Sequence, residues 1–196
     1  MFETKRKLII DNDSLIKFFN YYFFDRDNRS VIYQNLKNFV YSKIKSGEIV
    51  IIDKVFSEFK YIDYIKDIKE IKNKIKPYII KTEHLMVEAE NLLNKYTLDY
   101  NKKFKSPAEI EIMENEALNG ADLFIIALCK EYKEYENKDK IEPVVVSEET
   151  FNKKGYKKLV DKIPSICKKE GIECVRLPHS LFNIYKDELE FDLKIK

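Results

Sequence analysis

The sequence is poor in the side chains that soft-metal and disulfide chemistry require. Its 196 residues include three cysteines, Cys129, Cys167 and Cys174, and two histidines. The cysteines are odd in number and none stands in a C-x-x-C pair, so neither a zinc site nor a disulfide framework is expected. The three thiols read instead as small buried hydrophobes. No apolar run reaches the roughly 18 residues of a membrane span, and Met1-Phe2-Glu3-Thr4-Lys5-Arg6-Lys7 lacks the apolar core of a signal peptide. The expected location is therefore the cytoplasm, with no membrane association. Internal repeats, low-complexity tracts and an interdomain linker are missing too, so residues 1–196 are read as one domain with a helical segment at about 54–118 inside it.

What is present is charge, and it is unevenly spread. Charged residues make up 36% of the chain, yet the formal net charge is only +2, so composition alone does not announce a polyanionic partner. Between Asn152 and Lys169 there are seven lysines against Asp161 alone, while Glu109 to Asp122 holds five acids and no base. One surface is expected to be basic beside an acidic patch, the arrangement a metal-dependent enzyme acting on a polyanion needs. Lysine-rich helices that are simply solvated account for the same pattern.

Leu8-Ile9-Ile10 is an unbroken apolar run, as expected of a strand covered on both faces, and it stops at Asp11-Asn12-Asp13-Ser14. Ser14 is expected to cap a helix through Leu15, Phe18, Phe19, Tyr22 and Phe23. A second helix starts at Ser30 and ends at Ser46-Gly47, where glycine suits a left-handed stop. Glu48 to Asp53 is the second buried strand. The spacing of Ile62, Ile65, Ile68, Ile71 and Ile75 predicts one long helix from Lys54 to Lys76, ended by Pro77. Tyr78-Ile79-Ile80 reads as a short edge strand, and a further helix is predicted over Thr82 to Tyr100. Ser106-Pro107-Ala108-Glu109 is a capping box that starts an acidic helix, and another restarts at Asn119 or Gly120. Pro143 to Val146 is a strand that again ends in polar and acidic residues, Ser147-Glu148-Glu149. A short helix at Pro164 to Glu170 and a last strand, Ile172 to Leu177, complete a three-layer α/β/α fold around a short central parallel sheet.

The acids at these junctions are the candidate site. Asp11 ends a buried strand at the edge where open α/β sheets bind ligands, and of the pair Asp13 is the expected cap and Asp11 the expected ligand. Glu58 has Val55, Tyr61 and Ile62 as same-face helical neighbours. An ionised carboxylate in that company needs a partner, either a metal or a lysine. Asp122 lies between Leu118, Ile125 and Ile126 in what reads as a core-facing stripe; its structural alternative is an acid helping Asn119 cap the helix. Glu148 and Glu149 point opposite ways on a strand, and Glu149 is favoured for the cleft. Hard oxygen donors without a thiolate or imidazole cluster favour Mg²⁺ or Mn²⁺.

These motifs together resemble the PIN-domain nucleases, and in particular the toxin-type PIN ribonucleases of prokaryotic toxin–antitoxin pairs. They are an Asp-x-(Asn/Asp)-x-Leu strand end, a helical Glu after the second strand, an Ala-Asp on a helix, and a strand ending Ser-x-acid. The resemblance spans nearly the whole chain. It implies a metal-dependent endoribonuclease whose metal-binding and catalytic acids fall on Asp11, Glu58, Asp122 and Glu149, with Glu148 as a further metal candidate. Serine for threonine and glutamate for aspartate depart from the family pattern at that last site. The resemblance also implies RNA as substrate, a cognate antitoxin and a homodimer. Lys153, Lys154, Lys157 and Lys158, with Ser147, are the candidates for gripping the RNA backbone. Two other readings stand beside it: a catalytically inert PIN-like module that binds RNA or protein, and an Asp-x-Asp phosphohydrolase in which Asp11 is the nucleophile and Asp13 its acid/base partner.

Overall fold

A computed structural model describes residues 5–19, 31–59, 68–103, 105–134, 141–151 and 158–188. In chain order, β1 (Lys5–Ile10) leads into α1 (Asn12–Lys17); α2 (Val31–Ser46) precedes β2 (Ile49–Val50); then come α3 (Asp53–Glu58), α4 (Ile68–Ile75), α5 (Met86–Tyr96), α6 (Asp99–Lys102), α7 (Pro107–Asn119) and α8 (Asp122–Glu134). β3 (Ile141–Val146), α9 (Ile163–Glu170), β4 (Glu173–Val175) and α10 (Leu177–His179) follow.

The four strands form one parallel sheet in the order β2-β1-β3-β4. Leu8, Ile9 and Ile10 pair with Val144, Val145 and Val146, and all six are buried. Apolar side chains on both pleats mean that both faces are covered, so an unbroken run serves here where an alternating one would expose half its residues. Pro143 is tolerated inside β3 because β4 begins to pair only opposite Val144, so the missing N–H leaves no ladder bond unmade on that side.

On one face α8 packs against β1 and β3, and it touches α9, which packs on β4. α5 and α7 extend this layer by packing on α8 and on each other. On the other face α2 packs on β2 and α4, and Phe39 of α2 meets Tyr185 edge-on with ring centroids 5.3 Å apart. This is the expected three-layer α/β/α arrangement. No helix among the described residues is long and apolar enough to cross a membrane.

Several sequence expectations are changed by tertiary contacts. The helix predicted from Lys54 to Lys76 is not continuous, since α3 ends at Glu58 and Phe59 closes a tight turn; residues 60–67 lie outside the described part. The helix predicted from Thr82 to Tyr100 breaks at Thr97, whose backbone bridges Val160, and a one-turn 3-10 helix, Glu83–Leu85, precedes α5. The edge strand shrinks to one parallel bridge, Ile52 to Ile80. The last strand stops at Val175, and Leu177 opens α10. The helix through Tyr22 and Phe23 is seen only to Lys17, with Phe18 and Phe19 in a wider turn. By contrast, α2 ends at Gly47 with φ 74°, and the Ser106–Glu109 capping box forms with both of its hydrogen bonds.

Ile9 is completely buried at the centre of β1. Ile9→Ala is expected to lower unfolding free energy by about 2–5 kcal/mol, read as a drop in the denaturation midpoint at an unchanged denaturant slope.

Candidate functional site

β2 lies on one side of β1 while β3 and then β4 lie on the other, so the connections leaving β1 and β3 diverge at their carboxyl ends. A crevice opens at such a point. The register puts Asp11 and Ser147 there side by side, one residue beyond the Ile10–Val146 pair, and the Asp11 N–H donates to the Val146 carbonyl at 3.1 Å.

Asp11 is buried. Its backbone is extended (φ −76°, ψ 168°), which folds the carboxylate over the start of α1, and Oδ1 accepts the Ser14 N–H at 2.7 Å. Asp11 is thus the N-cap, the role the sequence assigned to Asp13 and Ser14. Asp13 is exposed, while Ser14 is buried inside the helix. Burial pushes the Asp11 carboxyl up to about 6, an effect tempered by hydrogen bonding from Ser14 and Ser147.

Glu58, the last residue of α3, reaches across to the start of α8, and its Oε1 accepts the Ala121 N–H at 3.0 Å. The partner that excuses a half-buried glutamate is therefore a backbone amide. Burial raises its carboxyl above the ordinary value; the Asp122 charge adds to the rise, and the Lys158 charge opposes it. Asp122 does not sit in the middle of a core-facing stripe. It is the first residue of α8, partly exposed, with Oδ2 3.1 Å from the Lys158 ammonium. Nor does it help Asn119 cap a helix, because Asn119 still belongs to α7.

The two acids after β3 separate as strand geometry requires. Glu149 is half-buried and its Oε2 accepts the Ile163 N–H at 3.0 Å, at the start of α9. Burial and then the Asp122 charge raise its carboxyl, against the nearby Lys158 and Lys162. Glu148 turns the other way: Oε1 accepts the Leu177 N–H at 2.9 Å, at the start of α10, and Oε2 lies 3.4 Å from the Lys17 ammonium. Ser147 is buried, and its Oγ accepts the Glu149 N–H at 3.2 Å. Of the four candidate phosphate-gripping lysines Lys158 is at the site; Lys153, Lys154 and Lys157 fall outside the described residues.

The structure therefore brings Glu58, Asp122, Glu149 and Lys158 into one electrostatic neighbourhood. The Cys174 thiol of β4 is lowered by a hydrogen bond from the Cys167 thiol, against burial and the Asp11 and Glu149 charges. Glu116 and the apolar side chains around Asp122 were not singled out in the sequence. They line a cavity of about 380 Å³ whose wall includes Glu58, Asp122 and Lys158. The only signal for them was helical spacing on α7.

Among the described residues no three His, Cys, Asp or Glu side chains stand close enough, as placed, to hold a metal ion. The donor set nonetheless fits a hard divalent cation. Its donors are carboxylate oxygens, the Asp122 charge raises the carboxyls of both Glu58 and Glu149, and Asn12 Oδ1, next to Asp11 in the chain, is buried with no hydrogen-bonding partner among the described residues. Mg²⁺ or Mn²⁺ relieves such repulsion and takes such ligands.

Residues 8–183 match the model of a protein family described as a domain of unknown function, DUF4411. The match covers nearly the whole chain, which belongs to that family. No curated protein and no solved structure matches it.

Because burial raises the Asp11 carboxyl from 3.8 to about 6, the folded protein binds the proton more tightly than the unfolded chain. The contribution of Asp11 to stability is full below about pH 4 and is lost as pH rises through 6. Asp11→Asn keeps the capping oxygen and removes the charge. In metal-free buffer it is expected to raise unfolding free energy by up to about 3 kcal/mol above pH 7 and to change nothing at pH 4, as read from paired denaturant titrations.

Proposed function

We propose that this DUF4411 protein is a metal-dependent endoribonuclease of the PIN type, hydrolysing RNA phosphodiester bonds as the toxin of a toxin–antitoxin pair. The observation that carries the reading is that Glu58, Asp122, Glu149 and Lys158 share one electrostatic neighbourhood while Asp11 stands at the carboxyl end of β1, where the connections leaving β1 and β3 diverge. Those four acids are the ones that would hold Mg²⁺ or Mn²⁺; Glu148 is turned instead to the Leu177 N–H and Lys17. When bound, such an ion lowers the pKa of water and stabilises the charge that develops on a phosphoryl oxygen.

The chain's own residues supply the rest. Lys158 is 61% exposed at its side chain, so its ammonium can turn from Asp122 to a backbone phosphate at small cost. Ser147 offers a hydroxyl that hydrogen-bonds the Asp11 carboxylate. The lysine-rich stretch around residues 153–169 provides sequence-independent attraction for the polyanion. An antitoxin and a second protomer remain part of the proposal through the family resemblance.

One observation favours a second reading, an inert module that binds RNA or protein. Asp11, Glu58, Glu149 and Glu148 each accept a backbone amide at the start of a helix, so all four have a structural reason to be acids. The two readings differ in what a cation does. On the nuclease reading, millimolar Mn²⁺ is expected to raise the thermal midpoint of the parent protein but not of Asp122→Asn; no shift in the parent favours the module.

Purified protein is expected to cut structured RNA only with Mg²⁺ or Mn²⁺, leaving 5′-phosphate and 3′-hydroxyl ends. Asp122→Asn is expected to slow the cut on the order of a thousandfold. Asp122 bonds Lys158 rather than a helix amide, so this substitution spares the capping contacts. Equal rates for parent and variant would remove the site from the reaction.

A further inference from the structure

The cavity beside the acids has a composition of its own. Met113 and Ala117 of α7 line it together with Leu159 and Val160, and the charged residues of its lining are Glu116, Glu58, Asp122 and Lys158. Met113, Glu116 and Ala117 are spaced three and four apart, so they share one face of α7. At about 380 Å³, the space is at the small end of the roughly 300–1,000 Å³ usual for ligand sites. It is the size for one flat heterocycle with its sugar rather than for a stretch of chain.

We propose that this cavity receives one unstacked nucleobase of the RNA strand, and that it favours bases carrying an exocyclic amino group over uracil. The proposal rests on the nuclease reading and deepens it by naming what the strand presents next to the phosphate. Charge decides what fits: with Glu58 and Asp122 given to the cation, Glu116 is the carboxylate of the lining left to accept hydrogen bonds from N–H donors. Adenine, cytosine and guanine bring an amino group, whereas the uracil edge is dominated by carbonyl oxygens that meet carboxylates unfavourably. The apolar part of the lining takes the base face, with the Met113 thioether as a polarizable contact. Lys158 of the same lining is placed for the phosphate attached to that base. A base inside a duplex cannot enter, so the strand is single there.

The test is fluorescence anisotropy with 5′-labelled single-stranded oligoribonucleotides of cytosine, adenine or uracil, each also made with one abasic ribose. It is run in millimolar Mn²⁺ on protein carrying Asp11→Asn, expected on the nuclease reading to slow cleavage and lying outside the cavity wall. Adding Ala117→Phe fills the space and is expected to weaken binding of the cytosine and adenine strands on the order of tenfold, with little change for the abasic strands. Because Ala117 packs partly against the core, exposed Glu116 gives a second variant that does not depend on refolding a buried position: Glu116→Gln is expected to narrow the preference for cytosine and adenine over uracil. Equal affinity for base-bearing and abasic strands, or an unchanged preference in Glu116→Gln, overturns the proposal while leaving the nuclease reading in place. Failure of every form to bind any strand overturns the proposal, and parent protein that also cuts no RNA with Mn²⁺ removes the nuclease reading with it.

Discussion

Helix starts at a parallel sheet's carboxyl edge create a debt of backbone hydrogen bonds, and in this protein acids meet it. The first amides of a helix have no partner within it. Of the helices that begin at or beside this edge, four have a start met by a carboxylate, Asp11 for α1, Glu58 for α8, Glu149 for α9 and Glu148 for α10, whereas α3 follows Ile52 with no side-chain cap. Two of these contacts cross long stretches of chain, Glu58 to Ala121 and Glu148 to Leu177, so the acids pin the helical layers to the sheet as well as capping them. The sheet supplies the level on which this happens, because the β1–β3 register brings Asp11 and Ser147 to the same height.

The same arrangement concentrates negative charge, and the fold pays for it in proton affinity. Asp11, Glu58 and Glu149 all hold their protons more tightly than ordinary carboxylates, first because they are buried and then because like charges stand nearby. Helix amides and Lys158 offset only part of this. A group of acids left under-compensated in a crevice is what a divalent cation stabilises. Structural capping and metal binding are therefore not exclusive roles, since a carboxylate has two oxygens and a cap occupies one.

The fold was largely legible in the sequence because its strongest signals are local. The apolar runs at Leu8–Ile10 and Val144–Val146, the left-handed stop at Gly47 and the Ser106–Glu109 box each state their structure within a few residues. The misreadings lie where distant parts meet. Nothing near Thr97 announces that its backbone will bridge Val160 and break a helix. Asp122 looked core-facing because Leu118, Ile125 and Ile126 were assumed to share its helix, whereas Leu118 belongs to α7. The choice between Asp11 and Asp13 as cap turned on a backbone angle. The site acids themselves were identified as acids needing partners; that the partners would include helix amides from other segments was not readable, because such contacts depend on how layers dock.

The central proposal is that Asp11, Glu58, Asp122 and Glu149 share a divalent cation at the carboxyl edge of the sheet. Anomalous diffraction at the manganese edge from crystals grown with Mn²⁺ tests it most directly. The account predicts a peak in the crevice between the ends of β1 and β3, within the roughly 2.0–2.6 Å that carboxylate oxygens keep from such ions, ligated by Asp11 and at least one of the other three acids. A well-ordered crystal in which these carboxylates remain on their helix amides, with no peak beside them at saturating Mn²⁺, would contradict it.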